Sequence, residues 1–63
     1  MIYNKWELLI LGDGGAYYIK RTGTHCYILG VRLPDGKIVR TGDSEGYYNM
    51  RDAEQDARGY ATA

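Results

Sequence analysis

The clearest pattern along the chain is an alternation over residues 25–33, with His25, Tyr27, Leu29, Val31 and Leu33 on one face and Cys26, Ile28, Gly30 and Arg32 on the other. A period of two is that of a β-strand, and the first set is the expected core face. Leu33-Pro34-Asp35-Gly36-Lys37 then reads as a turn. Pro34 presets φ, Asp35 can bond back to the turn backbone, and Gly36 tolerates a positive φ. Residues 37–41 return as the partner strand, with Ile38 or Val39 inward according to the register that the turn sets. Residues 27–41 thus form a β-hairpin around which the rest of the chain is placed.

Two further strands precede the hairpin. Residues 2–11 alternate as Ile2, Asn4, Trp6, Leu8 and Ile10 against Tyr3, Lys5, Glu7, Leu9 and Leu11, so the second half of the segment is apolar on both faces. Such a strand is covered twice, or once by its own core and once by a partner. Gly12-Asp13-Gly14-Gly15 turns the chain into residues 16–21, where Tyr17, Ile19 and Arg21 oppose Tyr18 and Lys20, and Thr22-Gly23-Thr24 turns it again.

After the hairpin, Gly42-Asp43-Ser44-Glu45-Gly46 is a polar loop, and Asn49 reads as a helix N-cap with Asp52 three positions on. The helix carries its apolar positions at Met50, Ala53, Ala57, Tyr60 and Ala61, a narrow stripe made mostly of alanine. Glu54 and Arg58 stand four apart as an ion pair, Gly59 is expected to weaken or end the helix, and Ala61-Thr62-Ala63 to fray. The resulting fold class is α+β: a four-stranded (three-stranded at the least) antiparallel sheet with one C-terminal helix packed on one face. At 63 residues this is one small domain with a thin stability margin.

Composition narrows the function without specifying it. Cys26 is the only cysteine, so no internal disulfide staples the fold, a homodimer is a possible remedy, and a reducing, cytoplasmic compartment is expected. Met1-Ile2-Tyr3-Asn4-Lys5 begins like a charged leader, but Leu8-Leu9-Ile10-Leu11 is too short for a secretory core or a membrane span. Formal net charge is zero, which removes the broad electrostatic argument for nucleic acid. The distribution is uneven, however: residues 16–41 hold Lys20, Arg21, Arg32, Lys37 and Arg40 against Asp35 alone, whereas residues 42–63 are net acidic. Seven tyrosines, one tryptophan and no phenylalanine point either to a recognition surface or to a thin core in which tyrosine replaces phenylalanine.

No catalytic, cofactor-binding or metal-ligating set emerges, and the chain reads as non-enzymatic. His25 and Cys26 are neighbours on a strand, so their side chains leave opposite faces and form no dyad, and one His with one Cys is too little for a zinc site. Gly12-Asp13-Gly14-Gly15 lacks the Lys-Ser/Thr of a phosphate loop. Asp13, Asp43 and Glu45 have no calcium-loop spacing. Gly42-Asp43-Ser44 is similar to the loop around the nucleophile of trypsin-like proteases, but the match stops after the serine and the chain is too short for paired barrels.

From Asp35 onward, the run Asp35-Gly36-Lys37-Ile38-Val39-Arg40-Thr41, then Glu45 and Tyr47, then a helix with Ala53 and Ala57, resembles the YegP-type small domains, and Trp6-Glu7-Leu8 stands where their first strand would. Glu45-Gly46-Tyr47 keeps the Glu-x-Tyr spacing of those domains, although the loop before it is longer. The resemblance implies strands followed by a helix and carries no chemistry with it. In size, tyrosine content and lack of staples the chain is also similar to phage-encoded inhibitors such as anti-CRISPR proteins.

The reading that follows is a protein-binding module, of the kind a phage or mobile element uses to inhibit a host complex, with Tyr18, Lys20, Arg21, Ile28, Arg32 and Arg40 as the partner-binding residues. A nucleic-acid-binding sheet that uses the same basic, tyrosine-bearing surface is the second reading, and a self-assembling structural protein built on residues 8–11 the third. The plain alternative for these cations is a solvated sheet face.

Overall fold

The computed structural model describes residues 3–62, so Met1, Ile2 and Ala63 lie outside the described residues. Four strands, β1 (Glu7–Gly12), β2 (Gly15–Gly23), β3 (Cys26–Arg32) and β4 (Ile38–Thr41), precede one helix, α1 (Met50–Ala61). The sheet is antiparallel throughout in the order β1-β2-β3-β4, and α1 lies across one face, which is the α+β architecture expected.

The hairpin forms by the chemistry read from its turn. Gly36 takes φ 90° and donates its N–H to the Leu33 carbonyl (2.9 Å), and Asp35 accepts from the Lys37 N–H (2.9 Å). The register pairs Val31 with Val39 and Arg32 with Ile38, so Val39 is on the helix side and Ile38 on the other. Leu29 is fully buried, with Tyr27 and Val31 packed beside it. The two ends of that alternation depart from expectation. His25 sits in the preceding turn, exposed, with its ring stacked on Tyr48 at 4.3 Å, and Leu33 is exposed in the following turn. Both lie in turns outside β3, and neither belongs to the core.

The first strand is shorter than its alternation. Asn4, at φ 59°, adopts the left-handed conformation that asparagine tolerates, and Tyr3 makes an isolated parallel bridge to Arg21. Within β1 the register slips between Leu8 and Ile10, leaving Leu9 unpaired as a β-bulge. Strict alternation puts Leu8 and Ile10 on one face. The bulge instead turns Leu9 and Ile10 toward the core and leaves Leu8 and Leu11 outward, 57% and 70% exposed.

Asn49 caps α1 as expected, its side chain accepting from the Asp52 N–H at 2.9 Å, and Glu54 meets Arg58 at 3.2 Å. Ala53, Ala57 and Ala61 face the sheet and are buried; Met50 and Tyr60, placed on the same stripe by spacing, are exposed at its margins. The helix continues through Gly59 and holds Ala61 buried, contrary to an end or a fray there. The β1–β2 turn explains this. The Gly14 N–H donates to the Ala61 carbonyl at 2.7 Å and takes up an acceptor that the helix end leaves open. A Cβ on Gly14 would overlap the Tyr60 carbonyl oxygen, so glycine is required there for close approach.

Tyr47 joins the polar loop, sheet and helix. Its backbone forms a two-bond bridge with Tyr27 (2.9 and 2.7 Å), which directs the ring to the core. The hydroxyl accepts from the Asp43 N–H (3.0 Å) and donates to Asp56 (2.7 Å). Burial pushes the phenol up from 10.0 to about 12; the Asp43 bond opposes that shift and the Asp56 carboxylate adds to it.

The Gly14→Ala variant loses about 1–3 kcal/mol of stability because backbone atoms block the methyl. Gly59→Ala, whose Cβ meets nothing within 4 Å on an exposed helix face, gains up to about 1 kcal/mol. Urea unfolding of both variants checks the opposite signs. For Tyr47, a folded pKa above the unfolded one means that the contribution of the buried phenol is complete below pH 10 and is lost as pH rises toward 12. The urea midpoint of the parent should therefore fall more steeply over that interval than that of Tyr47→Phe, which begins lower; parallel curves would refute the assignment.

Candidate binding face

Most of the expected partner-binding residues lie on the sheet face away from α1. Cross-strand pairing builds its rows: Leu8, Tyr18, Gly30 and Arg40 in one, Lys20 and Ile28 in a second, Leu11 and Ala16 in a third that continues toward Arg32 and Ile38. Tyr18, Lys20, Ile28, Arg32 and Arg40 therefore share one face. Tyr18, Lys20 and Ile28 are half-buried, while Arg32 and Arg40 are exposed.

Arg21 is not brought together with them. It pairs with Tyr27 on the helix side, where its guanidinium lies 4.9 Å from the Tyr3 ring and 5.7 Å from the Tyr27 ring. It also donates to the carbonyls of Gly23 (3.0 Å) and Thr24 (3.2 Å), holding the β2–β3 turn. Two aromatic faces and two carbonyls use up this cation in the fold.

The centre of the outer face is covered by a residue outside the predicted set. Trp6 lies over the middle of the sheet, and Gly30 is buried beneath it. A Cβ at Gly30 would stand 2.8 Å from both the Trp6 ring and Ile38. The ammonium of Lys20 in turn sits 4.4 Å above the Trp6 ring. The signal in the sequence was a glycine in the interior of an otherwise well-formed strand, which marks close approach by another group. Its partner is remote in sequence and could not be named from the pattern.

The cations of this face are thus in different states. Lys20 is engaged by Trp6, and Arg40 donates to the Ser44 carbonyl at 2.6 Å. Arg32 makes no hydrogen bond or ion pair among the described residues. The only strand carboxylate, Glu7, pairs with Ile19 on the helix side, so the strands present cations and apolar groups outward and no acid. Among the described residues no cluster of three potential metal ligands forms, and no helix is long and apolar enough to cross a membrane. The chain matches no family model, and no characterised protein or solved structure is significantly similar to it.

Placing Trp6 over Gly30 gives a direct test. Gly30→Ala should lose about 1–3 kcal/mol, since the overlap with Trp6 and Ile38 outweighs the roughly 0.4–1 kcal/mol that a stiffer unfolded chain would contribute. Trp6 fluorescence in the folded variant should also become more accessible to acrylamide. Unchanged stability and quenching would remove Trp6 from this position.

Proposed function

We propose that the chain is a protein-binding module whose working surface is the helix-free face of the sheet, and that its partner presents an acidic surface with apolar groups at its centre. The observation that carries this reading is the composition of the face: Lys20, Arg32 and Arg40 interleaved with Tyr18, Ile28 and the exposed Leu8 and Leu11, and no strand carboxylate. Aromatic, arginine and aliphatic groups on a rigid sheet form the kind of patch that protein interfaces use, and cations around it select acidic surfaces.

A duplex or single strand suits the face less well. Affinity for a phosphate backbone grows with the number of charges neutralised, and this face carries only three cations, of which Lys20 and Arg40 are fixed over Trp6 and against Ser44. A small rigid domain of this type acts by covering what it binds, which accords with an inhibitor that occludes a host complex in the cytoplasm.

The test uses the centre of the face. Protein captured by the parent from a lysate of its natural host should be lost with Ile28→Glu and Lys20→Glu, each folded by circular dichroism, and retained with Glu54→Ala on α1. Fluorescence anisotropy with 20-nucleotide DNA and RNA should show no binding at low salt. Capture that survives both face variants, or salt-sensitive nucleic-acid binding in its place, overturns the reading.

A further inference from the structure

At one end of the outer face, between the β1–β2 turn and the hairpin turn, an open cleft of about 520 Å³ is lined by Leu11, Ala16, Arg32, Leu33, Pro34 and Asp35 together with glycine backbone. Its shape follows from side-chain size along one row of the sheet. Leu11 on β1 pairs with Ala16 on β2, and Arg32 on β3 follows. Neighbouring strands are about 4.8 Å apart, so Leu11 and Arg32 stand roughly 10 Å from one another with a single methyl between them. That methyl is the floor of the cleft.

Two groups with unmet requirements meet there. Leu11 is the most exposed large apolar side chain among the described residues, and Arg32 is the outer-face cation with no partner among them. Leu33 and Pro34 supply a second apolar wall. Asp35 lines the same cleft, but its carboxylate accepts from the Lys37 N–H and makes no ion pair with Arg32 among the described residues.

We infer that this cleft is a carboxylate subsite. It receives an acidic side chain of the partner protein, with an adjoining aliphatic side chain packed on Leu11 and Pro34. The inference rests on the protein-binding reading above and names the chemistry at one end of that face. A guanidinium beside an apolar wall suits a carboxylate joined to a short hydrocarbon, because the planar fork takes two oxygens while the wall takes the chain. A row bounded by leucine on one side and arginine on the other also fixes the direction in which such a segment lies.

The test needs no partner. 4-Methylpentanoate carries the carboxylate and the branched chain; 4-methylpentanamide has the same shape without the charge. In ¹⁵N-labelled protein, the carboxylate should shift the amides of Gly12, Ala16, Arg32 and Gly36 saturably, with a Kd on the order of millimolar for so small a ligand. The amide should not. Arg32→Gln, at an exposed position without partners, should weaken binding about tenfold or more, and Arg32→Lys should restore part of it. Ala16→Val, which raises the floor, should weaken it independently of charge. Equal binding of acid and amide, no saturable shift, or an unaltered Arg32→Gln overturns the subsite. Inorganic phosphate shifting the same amides in place of the carboxylate overturns it too and assigns the cleft to a phosphate-bearing ligand. Failure here leaves the capture results with Ile28→Glu and Lys20→Glu untouched, since those residues lie outside the cleft.

Discussion

Three alanines set the distance between helix and sheet, and much of the remaining structure answers to that distance. Ala53, Ala57 and Ala61 are each at most 1% exposed, so the backbone of α1 lies against the strands with only methyl groups between. At its C-terminal end the approach is close enough that Gly12 and Gly14 have no room for a Cβ, and the Gly14 N–H reaches the Ala61 carbonyl. A buried methyl contributes about 0.8 kcal/mol, against about 1.5–3 kcal/mol for a buried Leu or Ile. The sheet must therefore supply the volume. Ile19 and Leu29 are its only large side chains that are fully buried, with Tyr17 and Tyr47 enclosing them.

A core this small explains where the tyrosines go. Tyr47 reaches from the core to the polar loop and to Asp56, so its hydroxyl ties three segments that a phenylalanine would only touch. Tyr3 and Tyr27 hold Arg21, Tyr17 packs on Tyr60 at 5.8 Å, and Tyr48 stacks on His25. Most of the aromatic surplus is thus spent at the rim of the core, where one end of a ring is apolar and the other wet. Tyr18 alone projects from the helix-free face of the sheet, beside the Trp6 that covers Gly30.

The features legible in the sequence were those set by neighbours a few residues apart. The turn at Pro34-Asp35-Gly36, the cap at Asn49, the alternation of β2 and that of β3 between Cys26 and Arg32 are all local, and formed as read. The same period of two set Arg21 opposite Tyr18 and Lys20 within its strand, yet Arg21 stood among the expected partner-binding residues. The β2–β3 register is what joins Tyr18 and Lys20 to the face of Ile28 and Arg32 and leaves Arg21 on the other. What escaped the pattern depends on a partner strand or a remote residue: the bulge at Leu9, the indole over Gly30, the glycines under α1, and the exposure of His25 and Leu33 in the turns that flank β3. For the candidate face the missing information was which cations the fold engages. Arg40 is held by a carbonyl four residues on, in a loop whose shape no periodicity encodes, and Lys20 by an indole from another segment.

The distribution of charge also bears on association between copies. A two-fold interface brings a patch against itself, and this face would then set Arg32 and Arg40 against their equivalents with no carboxylate from the strands to separate them. Like charges brought together in a contact cost several kcal/mol, more than the exposed part of Leu8 and Leu11 would recover. The helix acids Asp52, Glu54 and Asp56 lie across the sheet from these cations, so a second copy could supply them only in a head-to-tail arrangement. The edge strand β1 bears no cation, and pairing there would leave the face clear. The cations proposed to draw an acidic surface therefore oppose two-fold pairing of that same face.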